Sequence, residues 1–236
     1  MISLGKIGCR SMMRLRMTAK DYVQDGLVAM WDGIDNAGWG VHDENATTWK
    51  DLVGDNDITL TMGGGYWLSS GGLFIAKTPK TSGKFKRSVT TYKQIEVAGV
   101  ELTGDMNYDM HILICFGSTH AFVIGQNRLG FIVANNVVGI EPTYPESNNR
   151  ANVPFSVSVS YTAEDIPDTN GMYYNGDKKQ QAGQSIVLSN ISPVFNGYTS
   201  YQADANIYCI RLYSRALMAS EVAANYAIDK ARFNLP

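Results

Sequence analysis

Aromatic and amide side chains in the turn-rich segments of this chain could contact the ring and hydroxyl groups of a sugar. Flat aromatic faces pack on the apolar side of a sugar ring, while amide and imidazole groups bond its hydroxyls. The aromatic candidates are Trp39, Tyr144, Tyr198 and Tyr201. The polar candidates near them in the sequence are Asn36, His42, Asp43, Asn45, Asn148 and Asn149. These residues predict a ligand site on connecting loops, although Trp39 fits a structural role equally well.

Two stretches concentrate positive charge. The first twenty residues carry five basic residues and no acidic one: Lys6, Arg10, Arg14, Arg16 and Lys20. The stretch 77–93 also has basic residues without an acid: Lys77, Lys80, Lys84, Lys86, Arg87 and Lys93. We interpret 77–93 as an exposed hairpin or long loop whose lysines keep a sheet edge from pairing. The alternative is a patch for an anionic glycan or an acidic partner surface.

The composition favours many short strands joined by tight turns. The chain has 236 residues, with 23 glycines, 11% aromatic residues and 18% charged residues, against about 25% charged residues in an average domain. All-β sandwiches of roughly 200–250 residues often form one domain. The net charge of −2 gives no indication of a nucleic-acid partner. The longest apolar run, 110–116, has the length of a strand and not of a membrane span.

Runs of β-branched and aromatic residues alternate with turn residues from about position 25 onward. The apolar residues of one run alternate with serines: Phe155, Val157, Val159 and Tyr161. This alternation predicts a strand with one buried face and one wet face. Trp31, Trp49 and Trp67 lie within strand patterns, which predicts that they belong to the core.

A single segment is typical of a helix, namely the alanine-rich stretch 216–233, which has neither glycine nor proline. Many strands followed by one helix predict an all-β fold, a two-sheet antiparallel jelly-roll sandwich with one short C-terminal helix. We place a basic arm at 1–21 and a single domain at 22–236.

The segments DGLVAMWDGIDNAGWGVHDENATTWKDLVG (25–54) and IRLYSRALMASEVAANYAIDKARF (210–233) resemble the first and last parts of laminin-G-like domains. These domains belong to the concanavalin A-like lectin and glucanase group, and this variety is frequent in gut bacteria and their phages. The stretches 64–76 and 153–179 resemble strands between them. The resemblance covers 22–233 and implies a jelly roll of two sheets. Family members usually carry Thr or Ser before the last helix; here Met218 stands there, which moves the expected N-cap to Ser220.

The resemblance leaves the function open, because members of the group bind glycans, bind proteins, hydrolyse polysaccharides or serve as structural modules. Glucanase members place carboxylates on one strand in a pattern close to E-x-D-x-x-E, and no such pattern occurs in this chain. The nearest acidic residues stand in loop-like sequence: Glu141, Glu146, Glu164, Asp165 and Asp168. We therefore predict a non-enzymatic carbohydrate-binding protein. The alternatives are a purely structural assembly protein and a glycoside hydrolase of the same fold.

The resemblance also suggests a calcium ion at a rim, since laminin-G-like domains often hold one. Asp51, Asp55 and Asp57 could supply its oxygen ligands, as could Asp43 with Asn45. Neither stretch fits an EF-hand, and turns rich in Asn and Asp also form without any ion. No other cofactor is expected.

The expected setting is a virion surface or the outside of a cell. Charged residues interrupt the apolar residues of 1–20, so no secretory signal is visible, and phage proteins reach the outside by assembly and lysis. The expected partners are a polysaccharide or cell-surface glycan and, through the arm 1–21, other virion or surface proteins. We expect neither a nucleic-acid partner nor a membrane span, and a homo-oligomer is compatible with this setting.

Overall fold

The computed structural model describes residues 17–87, 92–102, 111–116, 120–124, 129–133, 136–140, 152–160, 171–180, 193–195 and 204–236. Within them the strands are β1 (Leu27–Asp32), β2 (Thr48–Trp49), β3 (Ile58–Thr61), β4 (Tyr66–Leu68), β5 (Gly72–Ile75), β6 (Ser82–Phe85), β7 (Gln94–Glu101), β8 (His111–Phe116), β9 (His120–Ile124), β10 (Leu129–Val133), β11 (Asn136–Ile140), β12 (Pro154–Ser160), β13 (Gly171–Tyr174), β14 (Asp177–Gln180), β15 (Pro193–Phe195) and β16 (Ala205–Tyr213). A short 3-10 helix, Ala19–Asp21, precedes them, and helix α1, Ala219–Phe233, follows.

The strands form two antiparallel sheets. The first sheet has the order β14-β13-β12-β7-β16-β5-β4, with β1 also paired to β16. Strand β16 pairs with β7 along one side, while β5 and β1 share its other side. The second sheet has the order β11-β10-β9-β8-β15-β6-β3-β2. The prediction of an all-β antiparallel sandwich with one C-terminal helix is confirmed.

The main core lies between the two sheets and contains three tryptophans. Trp31 meets Phe85 edge-on with ring centroids 4.8 Å apart, and Trp49 meets Trp67 edge-on at 5.2 Å. Each indole N–H donates to a backbone carbonyl, those of Asn56, Asp32 and Ala46 respectively. Large aromatic side chains are well buried when their polar atom has a partner. The prediction that these tryptophans belong to the core is confirmed.

The serines of β12 occupy a face that the sequence predicted to be wet, and this prediction is wrong. Phe155, Val157 and Val159 point into the core as expected. Ser156 and Ser158, on the opposite face, are buried as well. The Ser156 hydroxyl donates to Asp229 of helix α1 at 2.8 Å, because the helix lies over this face of the first sheet.

Helix α1 begins at Ala219 and not at 216, and its N-cap is Met218 and not Ser220. The thioether of methionine offers no strong hydrogen-bond acceptor, so Glu221 supplies the local contact by accepting the Met218 N–H at 2.8 Å. The helix ends at Asn234, which adopts the left-handed conformation common at helix C-termini. In the described part of the chain, no helix is long and apolar enough to cross a membrane.

The end of the N-terminal arm packs on the domain. Ala19 is fully buried, and Tyr22 donates its hydroxyl proton to Asp229 at 2.8 Å. The Thr18 hydroxyl and the Asp21 carboxylate cap the short helix between them. Residues 17–21 therefore form part of the packed domain.

Strand β6 corrects the interpretation of the basic stretch 77–93. Its backbone pairs with β3 on one side and with β15 on the other, so it lies inside the second sheet. Its lysine does not protect a sheet edge but stands on the outer face of the sheet, where Lys84 is exposed.

Candidate functional site

Outward-facing side chains at one end of the second sheet form a polar row. In β3, Ile58 and Leu60 are buried while Thr59 and Thr61 are exposed, as period-two alternation requires. Thr59 lies directly opposite Thr48 of edge strand β2 and Lys84 of β6. Two hydroxyls and one ammonium group therefore stand side by side on regular backbone.

A shallow cavity of about 500 Å³ lies over this row. Its lining residues come from β2, β3, β6 and the positions that flank them: Thr48, Lys50, Asp57, Thr59, Lys84, Phe85 and Lys86. We call this cavity the outer cleft. Its volume falls within the roughly 300–1,000 Å³ of small-molecule sites. Its lining offers hydroxyl groups that both donate and accept, ammonium groups that donate, and one carboxylate that accepts.

Two acidic residues near the outer cleft, Asp55 and Asp57, are engaged by basic side chains. Lys50 bonds Asp57 at 2.7 Å, and Arg87 bonds Asp55 at 2.5 Å. Partial burial alone would raise the pKa of the Asp57 carboxyl, but the hydrogen bonds from Lys50 and from the Asp51 backbone N–H, together with the charges of Lys50 and Lys86, outweigh burial and hold the pKa below its usual value. Lys84 makes no ion pair with any residue that the structure describes.

Asp51 shapes the turn that carries Lys50 and Asp57 to the cleft. One carboxylate oxygen accepts the backbone N–H groups of Met30 and Val53, both at 3.0 Å, and the other accepts that of Asn56 at 3.1 Å. Asp51 is buried, so its oxygens serve the turn itself.

The calcium residues predicted from the sequence do not form one set of ligands. Asp51 serves backbone donors, while Asp55 and Asp57 face different basic partners. Within the described ranges, no group of three His, Cys, Asp or Glu side chains could hold a metal ion. The loop carboxylates are therefore accounted for by turn and ion-pair contacts.

The predicted loop site around Trp39 is divided between surface and interior. Trp39 is 40% exposed, and the Lys20 ammonium lies 5.2 Å from its ring centroid. Asn36 is fully buried and uses both ends of its amide on the backbone of Asp43, so it is not available to a ligand. His42 is half-buried, with Nδ1 2.9 Å from the Gly33 carbonyl. Asn45 bonds Asp43 through its backbone N–H.

The other predicted binding residues lie outside the described residues: Tyr144, Asn148, Asn149, Tyr198 and Tyr201. The same holds for the acidic residues considered for catalysis: Glu141, Glu146, Glu164, Asp165 and Asp168.

A second polar cluster lies under helix α1, on the outer face of the first sheet. Arg211 of β16 donates to both oxygens of Asp229, at 2.6 and 2.8 Å, and to Glu96 at 2.8 Å. Its guanidinium lies 4.1 Å from the centre of the Tyr22 ring. Burial raises the pKa of Glu96. This cluster fastens the helix to the sheet and, being fully buried, offers no access to a ligand.

The threonines of the outer cleft were not among the residues singled out from the sequence. The pattern Ile-Thr-Leu-Thr over 58–61 contains the signal, because alternation assigns its threonines to the outer face. Lys84 and Lys86 belong to the stretch for which an anionic ligand was the alternative interpretation. What the sequence could not give is the pairing that brings Thr48 and Lys84 to either side of Thr59.

No protein-family model and no curated protein matches the chain. Among solved structures, it is similar to Trypanosoma rangeli sialidase in complex with sialic acid, with a TM-score of 0.60 and 13% identity over 87% of this chain. It is also similar to the receptor-binding domain of botulinum neurotoxin C/D mosaic serotype, with a TM-score of 0.60 and 14% identity over 87% of this chain. The chain spans 33% of the sialidase and 52% of the receptor-binding domain. At this identity the likeness is one of fold.

Proposed function

We propose that this chain is a non-enzymatic, lectin-like domain that binds carbohydrate in the outer cleft. The main support for this proposal is the row formed by Thr48, Thr59 and Lys84. It places hydroxyl and ammonium groups on regular strands under an open cavity. Sugars present many hydroxyl groups in fixed directions, and such a row can donate to them and accept from them. Support for a saccharide ligand comes from the similarity in fold to part of a sialidase whose structure is in complex with sialic acid.

The geometry favours weak binding by each site. The cleft is shallow, so a saccharide keeps much of its surface in water and buries little area. Polysaccharides and cell-surface glycans repeat the same unit, so several copies of the domain can act together on one polymer. We expect this multivalency to supply the useful affinity.

Catalysis is not part of the proposal. Hydrolysis by the usual two-carboxylate mechanism requires a pair of acidic side chains across the bond to be cleaved. Among the described lining residues the outer cleft has one carboxylate, Asp57, and Lys50 engages it. The competing hydrolase would release reducing ends from a polysaccharide panel, and we expect no release above the buffer control.

The test is a glycan array probed with the wild-type protein and with two matched variants. Thr59→Trp fills the outer cleft with an aromatic side chain that an exposed strand position accepts well. Ala223→Trp adds the same bulk on the exposed side of helix α1. We expect array signal from the wild type and from Ala223→Trp, and none from Thr59→Trp. A folded wild-type protein without signal would favour the structural assembly protein instead.

We also propose that the domain works on a virion surface or outside a cell, where polysaccharides are met. Support comes from the basic residues of the arm, which suit attachment to a larger assembly, and from the resemblance to phage laminin-G-like domains. Because Ala19 and Tyr22 belong to the packed domain, the informative truncation begins at Met17. Mass spectrometry of purified particles should find the full chain and not the truncated one. Equal incorporation of the full and truncated chains would show that the arm is not needed for attachment to the particle.

A further inference from the structure

The charges around the outer cleft do not balance. Four basic side chains stand in or beside it: Lys50, Lys84, Lys86 and Arg87. The carboxylates of the same region are Asp55 and Asp57, each engaged by a basic partner, and the buried Asp51, which accepts backbone N–H groups. The described residues of this surface therefore carry one positive charge in excess, on a chain whose net charge is −2.

The excess charge is centred on Lys84. In register, its neighbour on β3 is Thr59 and its neighbour on β15 is Val194, and neither residue is acidic. Its ammonium group makes no ion pair with a described residue, whereas Lys50 bonds Asp57 at 2.7 Å. An unpaired cation beside two hydroxyls is a site for an anion that also carries hydroxyl groups.

We infer that the ligand of the outer cleft is an acidic saccharide, whose carboxylate or sulfate group pairs with Lys84 while its hydroxyls bond Thr48 and Thr59. This inference rests on the proposed function and narrows it to one class of sugar. A charge-assisted hydrogen bond is about twice as strong as a neutral one, so the acidic group makes the largest single contribution to the affinity.

A nucleic acid is the main competing polyanion, and the lining does not favour it. Proteins that bind single strands combine basic grooves with exposed aromatic rings on which the bases stack. The aromatic residue of the outer cleft is Phe85, which is 3% exposed and packs edge-on against Trp31 inside the core. The polar groups that face the cavity suit sugar hydroxyls instead.

The test compares polygalacturonate with the same polymer after methyl esterification, which removes the charge and keeps the sugar backbone. Titration calorimetry is run with the wild type, with Lys84→Ala and with Lys230→Ala, which removes an equal charge from the exposed side of helix α1. We expect the charged polymer to bind about tenfold more tightly than its ester, and Lys84→Ala to lose that preference. Lys230→Ala should keep the preference for the charged polymer. Added salt should weaken the binding of the charged polymer and not that of its ester.

The outcomes separate the two proposals. If neither these polymers nor any glycan of the array binds, the proposed function falls and this inference with it. If the ester or a neutral glycan binds as tightly as the charged polymer, carbohydrate binding stands and the acidic class is wrong. If polyglutamate or a single-stranded oligonucleotide binds as well as polygalacturonate, the cleft is a general polyanion site and the inference is overturned. Thermal melts of each variant confirm that the loss is not one of folding.

Discussion

The two outer faces of the sandwich both carry charged and hydroxyl side chains, yet they differ in what covers them. On the first sheet, helix α1 covers the face, and Arg211 is fully buried with Glu96 and Asp229 as partners. On the second sheet, Thr59 and Lys84 are exposed beneath an open cavity. Buried charges must be paired inside the protein, whereas exposed groups exchange water for a ligand at little cost to stability. The covered face therefore serves the fold, and the exposed face is the candidate for binding.

Removing an ionic partner from the covered face should have the largest effect on stability. Asp229→Ala removes the two hydrogen bonds from the buried Arg211 guanidinium to Asp229, leaves it only Glu96 as an acidic partner, and takes away the acceptor of Tyr22 and Ser156. We expect a loss of about 3–5 kcal/mol in the free energy of unfolding, measured by urea denaturation. Lys84→Ala, on the exposed face, should change the same quantity by less than about 0.5 kcal/mol. Similar losses for the two variants would contradict the distinction between the faces.

The pH dependence of stability tests the burial of charge at the C-terminal end of β1. Burial raises the pKa of Asp32 from 3.8 to about 6, although Arg232 donates to it at 2.8 Å. A carboxyl whose pKa is raised on folding stabilises the native state below its unfolded pKa, and that contribution is lost as the pH rises through the folded value. From Asp32 alone we expect the free energy of unfolding to fall by about 1 kcal/mol between about pH 5 and pH 7.

Asp32→Asn removes this titration and should flatten the curve over that interval. Burial also raises the pKa of Glu96, which gives the same sign of pH dependence. Urea denaturation of the wild type and the variant at a series of pH values makes the comparison. A wild-type stability that increases steadily over that range would show that Asp32 does not titrate as its burial indicates.

The start of helix α1 offers a smaller and opposite effect. Met218 is the N-cap and Glu221 already accepts its backbone N–H, so one half of a capping box is present. Met218→Ser supplies the missing hydroxyl acceptor, and we expect stabilisation by about 0.5–1 kcal/mol. Ala223→Ser, at an exposed position within the helix, should instead destabilise slightly. A thermal melt that ranks the two variants in the reverse order would exclude Met218 as the cap.

The smallest effect is expected at Trp39, the aromatic side chain singled out from the sequence. It is exposed, and Lys20 covers part of its ring, but Trp39 is not among the residues that line the outer cleft. Trp39→Ala should weaken saccharide binding less than twofold. This is a small effect, since a tenfold change in affinity corresponds to about 1.4 kcal/mol. A complete loss of array signal in this variant would show that the binding site lies on the loop that carries Trp39.

Alternation of residues along strands made the fold class accessible from the sequence. Period two assigned Phe155, Val157 and Val159 to the core correctly, because inward apolar positions obey the pleat whatever lies outside. It failed for Ser156 and Ser158, because whether an outer face is wet depends on where a helix some 70 residues away in sequence comes to lie. Local pattern carries no information about that long-range contact.

The candidate site was less accessible for the same reason. We predicted that Asn36 binds a ligand at the surface, but both ends of its amide bond the backbone of a residue seven positions away. We predicted that Lys84 protects a sheet edge from pairing, because the sequence does not show that β15 pairs with β6. The outer cleft is produced by strand order, and strand order is set by the packing of both sheets together.

Hydrogen–deuterium exchange with and without a saccharide identified by the array shows which face of the sandwich binds it. We predict protection on binding in the backbone of 48–50, 57–61 and 82–87, which form the outer cleft, and no change in helix α1 (219–233), which covers the outer face of the first sheet. Protection confined to 35–43, or located in helix α1, would contradict the assignment of binding to the exposed face of the second sheet.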